Sequence, residues 1–112
     1  MKIQIGEGIE MIKQLVRKRK KKYDITLYQT PVFRQKKGYK QVYRLFMEET
    51  NHKQCLENIF KIFNVSDLIP DDYSGRYVGT GDIISIDEGK GGQSFYQLQP
   101  GGWMKINRIR LR

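Results

Sequence analysis

The chain has 112 residues, enough for one domain around one core, and carries a formal charge of +9. A hydrophobic content of 38% and an aromatic content of 12% are those of a folded protein, and a lone cysteine excludes an intramolecular disulfide. No apolar run approaches the roughly 18–20 residues that cross a bilayer as a helix.

The charge is unevenly placed. Residues 1–22 hold eight Lys/Arg against two acids, whereas residues 23–112 hold thirteen against ten. Arg17, Lys18, Arg19, Lys20, Lys21 and Lys22 form an unbroken basic run. Self-repulsion keeps such a run solvated, and its field attracts nucleic acid, an anionic membrane or an acidic protein surface. Just before it, Ile9, Ile12, Leu15 and Val16 recur at helical spacing, in a segment too short to be a stable helix alone. A secretory signal places basic residues before its apolar stretch; here the order is reversed, so a cytoplasmic protein is expected, with the arm available for peripheral contact at the inner membrane. Every aromatic residue lies between Tyr23 and Trp103. The expected division is therefore a basic amphipathic arm over 1–22, partly disordered, and one folded body over 23–112.

The body opens with Tyr23, Ile25 and Leu27 alternating with Asp24, Thr26 and Tyr28, the period of a half-buried strand. Residues 31–40 read as a loop. A second strand is predicted over 41–49, with Tyr43, Leu45 and Met47 on one face, and an antiparallel pair is the simplest arrangement. A helix is predicted over 52–63, capped by Asn51 and continued by Gln54 in a capping box. Its apolar stripe is Leu56, Ile59, Phe60 and Phe63, with Ile59 and Phe60 expected to face the sheet. Asn64 suits the left-handed conformation that often ends a helix. Residues 65–81 are irregular, with turn signals at Pro70-Asp71-Asp72 and Ser74-Gly75. Three strands follow, over 82–87, 94–99 and 104–111, joined by Gly89-Lys90-Gly91-Gly92 and Pro100-Gly101-Gly102 as a meander. In the last of them Met104 and Ile106 share one parity and Ile109 and Leu111 the other, which a bulge near Asn107 would reconcile. The expected fold class is α+β: an antiparallel sheet of about five strands in the order β-β-α-β-β-β, packed by one principal helix, with the N-terminal arm outside it.

Several segments of the body resemble the YodL-like family of small bacterial proteins. They are Tyr23-Asp24-Ile25-Thr26-Leu27-Tyr28-Gln29-Thr30-Pro31, Gly38-Tyr39-Lys40-Gln41-Val42-Tyr43-Arg44-Leu45 and Phe60-Lys61-Ile62-Phe63-Asn64-Val65. Further on come Pro70-Asp71-Asp72-Tyr73, Thr80-Gly81-Asp82-Ile83-Ile84, Ile86-Asp87-Glu88-Gly89, Phe95-Tyr96-Gln97-Leu98 and Gly102-Trp103. The likeness covers about residues 23–112 and leaves out the N-terminal stripe and part of the basic arm. It implies a non-enzymatic regulator of Bacillus-like bacteria that acts on cell shape through the actin-like, MreB-type cytoskeleton at the inner membrane. It carries over no catalytic residue.

The residues themselves offer little chemistry. His52 and Cys55 lie three apart on one helix, but zinc needs about four ligands and the chain has no second Cys or His. Cys55 is read as a small packed residue and His52 as an exposed first-turn residue. Asp71, Asp72, Asp82, Asp87 and Glu88 occupy turns and strand ends, where carboxylates ordinarily cap backbone amides. Gly89-Lys90-Gly91-Gly92 lacks the Lys-Ser/Thr pair and helix start of a phosphate loop and reads as a hairpin turn. Tyr43 is expected in the core, while Tyr39 and Trp103, beside glycines, are candidate surface aromatics. Arg108, Arg110 and Arg112 alternate with Ile109 and Leu111 and are expected to form one basic strand face. The first reading is a small regulatory protein-binding module whose basic arm is drawn to an anionic surface. No metal, cofactor or small-molecule substrate is expected. The alternative is a nucleic-acid-binding module using the arm and the C-terminal arginines.

Overall fold

The computed structural model describes residues 19–111. The chain forms strand β1 (Lys21–Gln29), strand β2 (Lys40–Glu49), helix α1 (His52–Asn64), and strands β3 (Ile83–Asp87), β4 (Gln93–Gln99) and β5 (Gly102–Ile106). The strands make one five-stranded sheet in the order β2-β1-β3-β4-β5, antiparallel at every pairing. The expected α+β class and element order hold. Because β1 lies between β2 and β3, those two run parallel, and the connection between them must cross a face of β1. The helix makes that crossing.

The alternation in β1 sets the core. Tyr23, Ile25 and Leu27 are buried on one face, beside Ile84 and Ile86 of β3. Against them the helix lays Cys55, Leu56, Ile59 and Phe63, all buried. Each large apolar side chain so buried contributes about 1.5–3 kcal/mol. Tyr43, Leu45, Met47, Leu98 and Trp103 pack around this cluster at partial burial. On the opposite face Thr26, Ile83, Ser85 and Phe95 are buried, while Phe46 and Met104 at its margins are exposed.

Four local expectations are corrected. Phe60 is 43% exposed, whereas Ile59 is fully buried. Cys55 widens the buried arc on its other side and centres it near Ile59; Phe60, about 100° further round, falls on the shoulder. Asn64 is not left-handed, since Arg34 is the sole non-glycine residue with positive φ among the described residues. Instead Asn64 ends the helix, and its amide accepts from Val78 N–H at 2.8 Å and donates to Val78 C=O at 3.0 Å. His52 is not an exposed residue: Nδ1 lies 2.6 Å from Tyr96 Oη and Nε2 2.7 Å from Glu88 Oε2, with Tyr23 edge-on to the ring. Finally, the last strand stops at Ile106, and Arg108–Leu111 forms a 3₁₀ turn in place of a bulged strand. Ile106 already pairs with Phe95, and β4 begins at Gln93, so residues beyond Arg108 have no strand to pair with.

The Asn51 cap is as expected. Asn51 is extended and its side chain accepts from Gln54 N–H at 2.9 Å. The first strand begins at Lys21, two residues before Tyr23, because Lys21 and Lys22 stand opposite Glu49 and Glu48 in the ladder.

Candidate functional site

The sequence-predicted basic residues that the structure describes lie at one end of the sheet. Arg17, Lys18 and Arg112 lie outside the described residues. Arg19 and Lys20 are exposed just before β1, and Lys21 and Lys22 are its exposed first residues, with Lys22 Nζ 4.7 Å above the Phe46 ring. Register places the end of β5, and hence Arg108 and Arg110 in the 3₁₀ turn, at this same end, with β3 and β4 between. The expected basic strand face is not formed. Cys55 sits in the core, where burial first and the charges of Glu49 and Glu88 second push its thiol up to about 11. A thiol held in that state is no nucleophile at neutral pH.

The opposite end is built differently. The chain leaves β1 into residues 30–39, returns through residues 69–82 before β3, and turns at residues 100–101 between β4 and β5. A buried polar knot holds these connections together. Gln29 Nε2 donates to Arg76 C=O and to Asp82 Oδ2, both at 3.0 Å, while its Oε1 accepts from Arg76 N–H at 3.2 Å. Asp82 Oδ2 also accepts from Gly79 N–H at 3.0 Å, and Oδ1 lies 3.2 Å from Arg76 Nη2. Arg76 Nη1 donates to Thr30 C=O at 2.5 Å, tying the first loop to the second. Burial raises the Asp82 carboxyl above its ordinary range, opposed by the Gly79 amide, Gln29 and Arg76 in that order. Tyr73 latches the segment onto the sheet: its ring packs 4.7 Å from Phe63 and 5.7 Å from Tyr43, and its hydroxyl donates to Arg76 C=O. Burial, then the Asp82 charge, pushes that hydroxyl up to about 12.

On this frame stand side chains that face water. Val32 is 64% exposed, Phe33 49% and Tyr77 59%. The guanidinium groups of Arg34 and Arg76 lie 5.4 Å and 5.6 Å from the Phe33 ring, at cation–π distance. Gly79 allows the ring to seat, because a Cβ there would come within 3.0 Å of Phe33 Cε1. The two aromatics expected at the surface are half-buried instead. Trp103 packs on the core, and Tyr39 donates to Gly81 C=O at 2.6 Å. Phe33 carried no periodic signal in the sequence; its position after Pro31 in a charged loop was the one available hint.

The architecture defines a small α+β domain with one crossover helix. The YodL-like domain family matches residues 7–108. A Bacillus subtilis (strain 168) protein described as "Uncharacterized protein YodL" is 46% identical over 99 residues, which cover 88% of this chain and 95% of that protein. The chain belongs to the YodL-like family. The match begins at residue 7, so it takes in the apolar stripe and the part of the basic arm that the resemblance read from the sequence had left out. No solved structure matches the chain. Among the described residues no helix is long and apolar enough to cross a membrane.

Proposed function

We propose that this chain is a non-enzymatic regulatory module that binds another protein through the loop-bearing end of its sheet. The observation that carries the reading is the exposure of Val32, Phe33 and Tyr77 next to Arg34 and Arg76, on a frame braced by the Gln29–Asp82–Arg76 knot. Exposed apolar patches rimmed by polar groups mark interaction surfaces, and aromatic residues with arginine are the commonest anchors at their centres. A braced frame also lowers the ordering cost of docking. The family resemblance suggests the actin-like, MreB-type cytoskeleton at the inner membrane as the partner, and an effect on cell shape as the outcome. The basic run Arg17 to Lys22 adds attraction to an anionic bilayer, at about 1 kcal/mol per residue near the surface.

The test is co-sedimentation of the full chain with polymerised actin-like protein, with and without nuclease. Phe33→Asp and Tyr77→Asp should remove the chain from the pellet, whereas Lys61→Gln on the exposed side of the helix should not. Co-sedimentation indifferent to both aspartates would sink the reading. Retention that disappears with nuclease would point to the nucleic-acid-binding alternative.

A further inference from the structure

Between the loop after β1 and the end of β4 lies a cleft of about 680 Å³. That volume is in the range of small-ligand sites, about 300–1,000 Å³. Its two walls differ in chemistry. One carries Arg34, Lys36 and Lys37, and among the described residues no carboxylate lines the cleft. None of these cations forms an ion pair among the described residues, whereas Arg44 and Arg76 each have a partner, Asp24 and Asp82. These three exposed cations within four residues make a local positive field that attracts anions.

The other wall is a rail of neutral hydrogen-bonding groups. Gln99 Nε2 donates to Gln97 Oε1 at 3.1 Å, Gln97 Nε2 to Tyr39 Oη at 3.2 Å, and Tyr39 Oη to Gly81 C=O at 2.6 Å. A primary amide has two N–H donors and a carbonyl oxygen with two lone pairs. The Gln99 amide spends one donor in this chain and keeps its oxygen and second N–H. A paired donor and acceptor beside a fixed phenol ring is what the edge of a planar heterocycle requires.

The cationic wall is held at a conformational cost. Arg34 has φ of 67°, a left-handed conformation that is unfavourable for a residue carrying a side chain. The turn is held by Thr30 Oγ1 donating to Val32 C=O at 2.7 Å and by Gln35 N–H donating to the same oxygen at 3.0 Å. Such strain persists only where the surroundings over-determine it, and it gathers at ligand clamps.

We propose that this cleft binds a nucleoside phosphate, with its phosphates on Arg34, Lys36 and Lys37 and its base edge on the Gln97–Gln99 amides beside Tyr39. A bare phosphate would leave the amide wall and most of the volume unused. A purely aromatic ligand would leave the cations unpaired. This site borders the exposed Phe33–Tyr77 patch and shares Arg34 with it, but Lys36, Lys37 and the amide wall are no part of that patch, so it does not depend on the protein-docking reading. It departs from the sequence-based expectation that no small molecule is bound.

The experiment is calorimetric titration of the full chain with ATP, GTP, adenosine, guanosine and inorganic triphosphate. At least one nucleotide should bind saturably at one site per chain, about tenfold or more tighter than its nucleoside and than triphosphate. Lys36→Gln with Lys37→Gln should weaken that nucleotide by about tenfold or more, the scale of lost charge-assisted hydrogen bonds. Arg34→Gly should weaken it too while suiting the backbone, so an unchanged melting curve separates lost binding from lost fold. Glutamine in place of Arg17 to Lys22 should leave nucleotide binding unaltered. Triphosphate binding as tightly as nucleotide, dependence on the arm rather than the loop, or no saturable binding would each overturn the proposal. So would a single-stranded oligonucleotide that binds the cleft far more tightly than either nucleotide, because it would assign the cleft to a nucleic acid strand.

Discussion

Gln29 and Asp82 share a buried hydrogen bond of 3.0 Å across 53 positions of sequence. The bond joins the last residue of β1 to the residue just before β3, and it fixes how the loops at that sheet end meet. The same amide also serves Arg76 N–H and C=O, so three backbone and side-chain groups depend on one glutamine.

Gln29→Leu keeps the volume and removes all of those bonds. Leaving buried partners unsatisfied costs about 1–3 kcal/mol per group. Chemical denaturation should show a loss in that range or above, and amide exchange should quicken first at Arg76 and Gly79. A loss under about 0.5 kcal/mol would mean that solvent replaces the bonds at no penalty.

Two aspartates should titrate stability in opposite senses. Asp82 is raised, chiefly by burial, so its contribution is complete below the unfolded-state value and is lost as pH climbs through the folded one. The stability of wild type relative to Asp82→Asn should therefore fall as pH rises across the carboxylate range. Asp24 is lowered, chiefly by its hydrogen bonds from Arg44, at 2.9 Å and 2.6 Å. Its contribution is present above the unfolded-state value and lost as pH falls through the folded one. Wild type relative to Asp24→Asn should gain with pH, and salt should shrink that gain because Arg44 is largely exposed. Denaturation midpoints at a series of pH values check both signs.

Substitutions on the helix should separate neighbours. Ile59→Ala removes a fully buried side chain and should cost about 2–5 kcal/mol. Phe60→Ala removes a ring that already meets water and should cost less than about 1 kcal/mol. Equal losses in thermal unfolding would require Phe60 to be covered in solution.

Gly79→Ala acts at the surface patch. Its Cβ would stand 3.0 Å from Phe33 Cε1, and the half-exposed ring can give way. Stability should change by less than about 1 kcal/mol. Affinity for the proposed protein partner should fall by about fivefold, or about 1 kcal/mol, because the proposed anchor is displaced rather than removed. Equilibrium binding beside a melting curve separates the two effects.

Much of the fold was legible because its signals are local. The alternation from Tyr23 to Tyr28 places β1, Asn51 and Gln54 mark the helix start, and the glycine-rich connections mark the final meander. The candidate site was not legible in this way. Its frame joins Gln29, Arg76 and Asp82, which have no fixed spacing that chemistry demands, and its exposed ring sits in a loop with no period. His52 looked solvent-facing because its partners, Tyr96 and Glu88, are 44 and 36 positions away. The C-terminal arginines looked like a strand face because alternation continues in the sequence after the partner strand has run out.

By itself the sequence determined which segments are strands and which is the helix, and that the charge is concentrated near Arg17 to Lys22. Those properties follow from periodicity, capping and composition, which act over a few neighbouring residues. Only the tertiary structure decided that β3 lies beside β1, that Phe60 is left in water, and that Arg34, Lys36 and Lys37 face a wall made by Gln97 and Gln99. Burial and hydrogen bonding at those positions depend on which distant segment arrives to exclude water, and no local pattern specifies that arrival.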